Sequence, residues 1–248
     1  MQEQNQATAP VKLTGPGSRT PSSRGCGATG ICMVAATGIT GLCDDKSGGC
    51  PVLRHEITKN LERCGIHRRF CGCTFENIEQ AGVPAGVREA YSQVKGYAQN
   101  LRENVEAGRG LLLKGSVGTM KTTLAVAVLQ EQIARGGSGY FVTMSGLLDS
   151  IFTLKAISPG EWARFEQRLR ETPLLVLDDL GAEHSDGWVQ TKVDAIIAER
   201  YNRCRPVIVT TNLTAGQLRG VYAERVIDRL RSTLQVVNFS GPSLRLPA

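Results

Sequence analysis

The feature that most constrains the fold is an alternation of short apolar runs with longer helical stretches after residue 109. The runs are GLLLKG at 110–115, YFVTM at 140–144, PLLVLDD at 173–179, PVIVTTN at 206–212 and LQVVNFS at 234–240. After the first run, KTTLAVAVLQEQIARGG has the composition of a helix that stops at two glycines. Strands that are continuously apolar are typical of a parallel sheet covered by helices on both faces, so the sequence predicts an α/β fold.

The first third of the chain has a different character. Residues 1–50 are rich in Gly, Ser, Thr and Pro with little periodicity, so we expect a flexible, partly disordered segment. A short helix is predicted over 51–64, and an irregular connector with basic and aromatic residues follows it. From 87 to 107, apolar residues at helical spacing oppose a charged face, which predicts a helix.

Composition narrows the function classes only modestly. The 248 residues include 29 Lys and Arg against 23 Asp and Glu, a formal charge of +6, which permits a nucleic-acid partner without requiring one. No apolar run reaches the length of about 18 residues that a membrane span needs. The start, MQEQNQATAP, lacks the pattern of a signal peptide. We therefore expect a cytoplasmic protein without a membrane span.

Eight cysteines are many for such a chain, and seven of them lie in its first third. A reducing compartment disfavours a disulfide framework. The sequence has no C-x-x-C pair, which is the strong sign of a structural zinc site, although His55 and His67 lie within the cluster. Zinc binding and free or buried thiols both remain open.

The segment GSVGTMKTTL at 115–124 matches the phosphate-loop pattern G-x-x-x-x-G-K-[ST] except at one position. A glycine-rich turn between a buried strand and a helix directs backbone N–H groups and the helix N-terminus at a phosphate. We expect Lys121 to reach the terminal phosphates and the Thr122 hydroxyl to bind Mg²⁺. The residues expected to hold nucleotide are Gly115, Ser116, Val117, Gly118, Thr119, Met120, Lys121, Thr122 and Thr123.

Met120 occupies the place of the second glycine of this pattern. Glycine is favoured there because it tolerates unusual backbone angles and lets the main chain approach the phosphates. A methionine side chain must point away, and its backbone must adopt a conformation available to a residue with a side chain. The alternative to nucleotide binding is a purely structural strand–turn–helix.

Polar residues at two later strand ends favour the nucleotide hypothesis. Asp178 and Asp179 follow four apolar residues, and the carboxyl end of such a strand lies where ligands collect in a parallel sheet. Asp178 is predicted to hold Mg²⁺ through water and Asp179 to polarise the attacking water, whereas an ordinary helix N-cap is the alternative. Asn212, after the polar pair Thr210 and Thr211, is predicted to orient that water or to contact the γ-phosphate.

The stretch ERVIDRLRS at 224–232 presents Arg225, Arg229 and Arg231 on a short helix. Such a helix is usually a solvated face. In an ATPase that assembles in rings, one of these arginines would instead reach a neighbour's γ-phosphate.

Together, GSVGTMKTTLAVAVL, PLLVLDDLGAE, AERYNRCRPVIVTTNL and ERVIDRLRS resemble the DnaC/IstB-type AAA+ ATPases, which are bacterial and phage helicase loaders and related transposition ATPases. The resemblance covers about 61–248, with CGIHRRFCGCTFENIE similar to the connector of the loaders. It implies a P-loop AAA+ three-layer sandwich with a parallel central sheet. It further implies ATP and Mg²⁺ as cofactors, and a replicative helicase, single-stranded DNA and other copies of the chain as partners.

The resemblance also implies roles and boundaries. Lys121 and Thr122 match the Walker A residues, Asp178 and Asp179 the Walker B pair, Asn212 sensor 1, Arg229 the arginine finger and, on weaker grounds, Arg245 a sensor 2. The implied domains are a flexible segment at 1–50, a cysteine-rich partner-binding region and connector at 51–80, and the AAA+ ATPase domain at 81–248. Loaders often carry zinc-binding cysteines near the N-terminus, and the corresponding set here is Cys43, Cys50, Cys64 and Cys71.

The stretch 145–158 lies where initiators and loaders carry a helix that contacts single-stranded DNA, which makes Phe152 and Lys155 candidates. Packing of Leu147, Leu148 and Ile151 in the core is the default interpretation.

The leading functional hypothesis is a helicase loader. A transposition ATPase that delivers target DNA is the close rival. An adaptor that senses nucleotide with little hydrolysis is the rival of another class, and Met120 favours it. A small-molecule kinase is disfavoured because no substrate-binding lid lies between the motifs.

Overall fold

A computed structural model describes residues 51–181 and 187–245, without the side chains of residues 51–56, 155, 156 and 188. The chain divides between His55 and Glu56, and the elements given below belong to the second unit, Glu56–Ala248, apart from the first residues of the helix Pro51–Arg63. The predicted flexible segment at 1–50, with Cys43 and Cys50, lies outside the described residues.

Ten α-helices and five strands form in the described ranges. They are α1 Pro51–Arg63, α2 Phe75–Ala81, α3 Arg88–Gln99, α4 Leu101–Glu106, β1 Gly110–Gly115, α5 Lys121–Ala134, β2 Gly139–Thr143, α6 Met144–Ile157, α7 Pro159–Glu171, β3 Leu174–Asp178, α8 Gly187–Asn202, β4 Val207–Thr211, α9 Ala215–Val221, α10 Glu224–Thr233 and β5 Leu234–Phe239. Two short 3-10 turns, Arg68–Phe70 and Ala85–Val87, lie in and after the connector.

The five strands form one sheet in the order β2-β3-β4-β1-β5, and each neighbouring pair is parallel. The predicted α/β fold with a parallel central sheet is therefore confirmed. β4 lies between β3 and β1, so three strand ends that carry polar residues become neighbours at one edge of the sheet. This order positions the site described below.

Apolar side chains fill both faces of the sheet, as the continuous apolarity of the strands predicts. On one face α3, α5 and the connector pack together through residues such as Val94, Leu124 and Ile66. On the other face α6 to α10 pack through residues such as Leu147 and Val193. The connector thus shares a core with the helix that follows the phosphate loop, which matters for the shape of the site.

The helix predicted over 87–107 is interrupted at Asn100. This residue leaves helical geometry, with φ −100° and ψ 29°, and separates α3 from α4. Its side-chain amide donates to the Gly96 carbonyl at 3.3 Å, and an asparagine that bonds to nearby backbone competes with helix continuation in this way. Apolar periodicity alone did not reveal the break.

Arg200 links the chain segments at the amino ends of β3 and β4. Its side chain is almost fully buried on α8, and its guanidinium donates to the carbonyls of Leu169 and Thr172 at 2.9 Å and of Pro206 at 2.5 Å. The end of α7 and the residues that lead into β3 and β4 are thereby held by one buried cation. Arginine suits this role because its planar group carries five donors.

Candidate nucleotide-binding site

A cleft of about 520 Å³ lies at the carboxyl ends of β1, β3 and β4. Its volume falls within the usual range of small-molecule sites. The cleft is lined by Arg69, Phe70, Cys73, Val117, Gly118, Thr119, Met120, Lys121, Thr122, Thr123, Asp178, Asp179, Thr210, Asn212, Leu244 and Arg245. Most of the residues predicted from the three motifs therefore face one space.

Two glycines of the loop between β1 and α5 lie at positions where a side chain would clash with neighbouring residues. Gly118 has φ 79°, and a Cβ placed there would lie 2.0 Å from the Ser243 hydroxyl oxygen. A Cβ on Gly115 would lie 1.9 Å from the Phe239 carbonyl oxygen of β5. The loop is therefore wedged between β5 and the C-terminal residues, and Gly115 and Gly118 allow both close approaches.

Met120 adopts the left-handed conformation, with φ 70° and ψ 11°, directly before the first residue of α5. Its partly buried side chain packs against the apolar cluster around β1 and α5. The loop thus keeps at Met120 the backbone region that favours glycine, which residues with a side chain adopt only at a cost. A non-glycine residue in this region costs about 1–2 kcal/mol.

Lys121 is buried in the loop, where its ammonium group donates to the carbonyls of Gly115 at 2.8 Å and Ser116 at 2.6 Å. Burial lowers the pKa of Lys121, and the nearby carboxylates of Asp179 and Asp178 oppose that shift. The two carbonyls hold the ammonium inside the turn, where backbone N–H groups and the N-terminus of α5 also favour an anion.

Asp178 lies at the end of β3 and accepts two hydroxyl hydrogen bonds. Thr122 Oγ1 and Thr210 Oγ1 both donate to Asp178 Oδ1, at 2.8 Å and 2.7 Å. Burial raises the pKa of Asp178, and these two hydrogen bonds act in the opposite direction. A hydroxyl and a carboxylate in contact are the oxygen ligands that Mg²⁺ prefers, so the residues present fit the predicted magnesium site.

Asp179 has φ 62°, a second left-handed residue in the cleft. Its backbone N–H donates to Thr210 Oγ1 at 2.8 Å, and Asn212 Nδ2 donates to its Oδ1 at 2.9 Å. In the described ranges the next helix along the chain is α8, Gly187–Asn202, and neither acid directly precedes it. Asn212 and Asp179 are instead joined across the ends of neighbouring strands.

The C-terminal residues lie against the phosphate loop. The Leu244 N–H donates to the Gly118 carbonyl at 2.9 Å, and the Arg245 N–H donates to Ser243 Oγ at 3.3 Å. Arg245 lines the cleft, and its positive charge further lowers the pKa of Lys121. The predicted sensor 2 residue is thus brought to the site by a short tail.

Arg229 does not line this cleft. It donates to Asp194 Oδ1 of α8 at 3.0 Å, while Arg225 donates to Asp194 Oδ2 at 2.7 Å. One carboxylate therefore joins α10 to α8 through two arginines. Contact between Arg229 and a γ-phosphate would require the cleft of another copy of the chain.

The structure separates the candidates on α6 from the core. Leu147 and Ile151 are fully buried, and Leu148 is half-buried, as the default interpretation predicts. Phe152 on the same helix is 60% exposed. Lys155 lies on α6, and its side chain is outside the described part of the chain.

The candidate zinc set finds no support among the described residues. No group of three or more His, Cys, Asp or Glu residues that could hold a metal occurs in the ranges that the structure covers. Cys64 and Cys71 are half-buried free thiols, and burial raises the pKa of each. Cys43 and Cys50 are outside those ranges.

Sequence reasoning missed one wall of the cleft. Arg69, Phe70 and Cys73 come from the connector, some fifty residues before the phosphate loop. Their only signal in the sequence is the mixture of basic and aromatic residues in that segment. Thr210 was noted as a polar strand end, but its position between the two acids was not predicted.

The parallel sheet, the strand–loop–helix with Lys121 and Thr122, and the acids on the adjacent strand define the class of P-loop nucleotide-binding proteins. The strand order, with β1 between β4 and β5, brings the polar end of β4 between the loop and those acids.

Comparison with known proteins defines the family. The family model described as IstB-like ATP binding protein matches residues 95–248. The chain belongs to this family, and the predicted DnaC/IstB-type AAA+ membership is confirmed. Within the described residues, no helix is long and apolar enough to cross a membrane.

Named relatives agree with this assignment. The replicative helicase loader DnaC of Escherichia coli strain K12 is 24% identical over 176 residues, which are 71% of this chain and 70% of that protein. A crystal structure of the DnaC helicase loader is 26% identical with a TM-score of 0.62, over 70% of this chain and 100% of that one. The DnaI structure has the same fold, at 22% identity and a TM-score of 0.60, over 70% of this chain and 94% of that one.

Proposed function

We propose that this chain is an ATP-dependent replication protein that loads a replicative helicase onto single-stranded DNA, with ATP hydrolysis controlling release. One observation carries the proposal: a lysine, a hydroxyl, two carboxylates and an amide line one cleft at adjacent strand ends. The likeness to DnaC supports the helicase as partner.

The roles follow from the contacts. Lys121 exchanges its two loop carbonyls for the β- and γ-phosphates of ATP, because an ammonium gains more from an oxyanion than from a carbonyl. Thr122 and Asp178 would hold Mg²⁺, which would neutralise charge on the phosphates. Arg245 adds a second cation from the tail.

Asp179 and Asn212 position the attacking water. Asp179 accepts a proton or a hydrogen bond from the water, and Asn212 fixes the orientation of that carboxylate through its amide. The backbone N–H of Asp179 is held by Thr210, which fixes the main chain from which the carboxylate extends. Hydrolysis therefore depends on groups from β3 and β4 together.

Arg229 supplies the remaining charge in trans, in a homo-oligomer that forms on ATP or DNA. The Arg229 side chain is about one quarter exposed in its ion pair with Asp194. If Arg229 leaves Asp194 to contact a neighbour's phosphate, Asp194 keeps its ion pair with Arg225. An arginine at the γ-phosphate stabilises the charge that develops during transfer.

A second candidate is an adaptor that binds nucleotide with little turnover. The left-handed Met120 favours it, since a strained residue next to the phosphates can slow a catalytic rearrangement without abolishing binding. A transposition ATPase is the rival within the family. Capture of a replicative helicase, as opposed to a transposase, decides between loader and transposition ATPase.

The test measures ATP binding and turnover with and without single-stranded DNA, and then helicase-dependent unwinding. We expect Lys121→Ala to abolish nucleotide binding and Asp179→Asn to retain binding but lose turnover. Lys114→Ala is the matched control, because Lys114 lies on β1 outside the cleft lining. Wild-type affinity in Lys121→Ala would contradict the nucleotide site, and turnover unchanged in Asp179→Asn would contradict the catalytic assignment.

A further inference from the structure

The connector wall of the cleft is a tight turn. The Phe70 N–H donates to the His67 carbonyl at 2.8 Å, and the Cys73 N–H donates to the Phe70 carbonyl at 3.0 Å. Phe70 and Cys73 both line the cleft and are half-buried against the core that they share with α5. The turn carries no predicted catalytic group, but it shapes the part of the cleft beyond the phosphate loop.

One side chain of α5 donates hydrogen bonds to this turn. Gln130 is 9% exposed, and its amide nitrogen donates to the Phe70 carbonyl at 2.9 Å and to the Cys73 carbonyl at 3.2 Å. Both amide hydrogens are thus used on carbonyls that are 60 and 57 residues away in sequence. A buried glutamine with its donors fully used is a specific fit, because an unsatisfied buried donor is costly.

Gln130 also connects the two ends of the cleft. α5 begins at Lys121 and Thr122, and Gln130 lies on the same helix two to three turns further along. The distance between the phosphate-binding end and the connector wall is therefore set by a rigid element. A shift of the wall relative to the phosphates requires the two hydrogen bonds to break.

The chemistry of the wall indicates what it contacts. Lys121, Thr122 and Asp178 are the groups assigned to the triphosphate and its metal, and the connector wall adds Arg69, Phe70 and Cys73 to the lining beyond them. Nucleobases have π-faces that pack on aromatic side chains, with about 1–3 kcal/mol per base in nucleic-acid complexes. A nucleoside triphosphate anchored at the loop would place its base in this part of the cleft.

We propose that Gln130 is a positioning residue that holds the Phe70–Cys73 turn as the base-binding wall of the cleft. The inference rests on the proposed function to the extent that the ligand is a nucleotide. Gln130 acts through the turn and touches no ligand itself. Its loss should weaken binding of the base and leave binding of the phosphates unchanged.

The experiment compares the dissociation constants of ATP and of inorganic tripolyphosphate, both with Mg²⁺, in the full chain. Gln130→Leu removes the donor at similar volume, and we expect the Kd for ATP to rise about tenfold while that for tripolyphosphate stays the same. A structural defect alone would weaken both ligands together, so the ratio of the two constants is the decisive readout.

Gln132→Leu is the matched control, because it makes the same replacement on the same helix near Gly137, away from the cleft lining. It should leave the ratio unchanged. Gln130→Met is the second variant if Gln130→Leu lowers the folded fraction in circular dichroism, since methionine adapts better to a buried site. Both Gln130 variants should lose the same preference for ATP.

Equal weakening of both ligands in the Gln130 variants, or no change in either, would overturn the inference. A wild-type protein that binds tripolyphosphate and ATP with equal affinity would overturn it as well, because no base-binding wall would then exist. Failure of the wild type to bind either ligand is a separate result, which would refute the nucleotide site itself.

Discussion

Thr210 is the residue through which β4 organises both acids, so Thr210→Val is the sharpest test of the site. The hydroxyl donates to Asp178 Oδ1 at 2.7 Å and accepts from the Asp179 N–H at 2.8 Å. Valine nearly matches the shape of threonine but can do neither. The substitution therefore removes two hydrogen bonds without opening a cavity.

The magnitude follows from the two bonds. A hydrogen bond to a charged group contributes about 1.5–3 kcal/mol, and an unpaired buried N–H costs about 1–3 kcal/mol. Partial relaxation and the gain from burying a methyl group offset some of this loss, so we expect destabilisation of roughly 3 kcal/mol. Urea unfolding monitored by tryptophan fluorescence measures it.

The effect on magnesium has a definite sign. Burial already raises the pKa of Asp178, and loss of the Thr210 donor raises that pKa further. Mg²⁺ binds the ionised carboxylate, so affinity for Mg²⁺-nucleotide falls as the pH drops through this pKa. In Thr210→Val the fall should begin at a higher pH than in the wild type, as measured by titration of a fluorescent ATP analogue with Mg²⁺.

Thr211→Val is the matched control on the same strand. Thr211 is equally buried, donates to the Leu180 carbonyl at 2.6 Å and accepts from the Leu213 N–H at 3.1 Å. It should destabilise the fold by a similar, somewhat smaller amount, because both partners are uncharged. Identical pH profiles for Mg²⁺-nucleotide binding in the two variants would refute the assignment of Thr210 to the acids.

Three further outcomes are expected. Asp178→Asn should raise the melting temperature of the nucleotide-free protein at neutral pH and abolish Mg²⁺-dependent binding. Burial raises the pKa of the Asp178 carboxyl, so the folded state of the wild type loses stability as the pH rises through that pKa, and asparagine avoids this loss. An unchanged or lower melting temperature would contradict this. Met120→Gly should increase nucleotide affinity or turnover by several-fold, since glycine lets the main chain approach the phosphates without a side chain at the cleft; no change by calorimetry would mean that the loop already accommodates methionine beside the phosphates. Arg229→Ala should retain binding and lose turnover only at concentrations where the protein assembles, so an equal loss of ATPase rate in dilute monomer would remove the role in trans.

The parts of the site that lie at strand ends could be predicted from the sequence. Asp178 and Asp179 follow an apolar run, Asn212 follows the polar end of another one, and parallel strands place their carboxyl ends at one edge of the sheet. The strand order could not be predicted in this way. That β4 lies between β3 and β1 is a long-range feature of the fold, and no local pattern in the sequence indicates it.

The connector wall could not be predicted for a related reason. Phe70 and Cys73 belong to a turn without periodicity, and their place in the cleft depends on hydrogen bonds from Gln130, about sixty residues away. Gln130 itself is followed in the same helix by the polar residues Glu131 and Gln132, so nothing local in the sequence indicates its buried partners. The pairing of Arg229 with Asp194 is long-range in the same way.

Backbone strain at the site connects these observations. In the described ranges, three non-glycine residues have positive φ, and two of them, Met120 and Asp179, line the cleft. Residues persist in such conformations when the surrounding structure imposes them, and the hydrogen bond from the Asp179 N–H to Thr210 Oγ1 is one such constraint here. A chance match to the loop pattern would have no reason to keep the glycine conformation under a methionine. That the fold keeps it, at a cost, favours a working nucleotide site over an incidental turn.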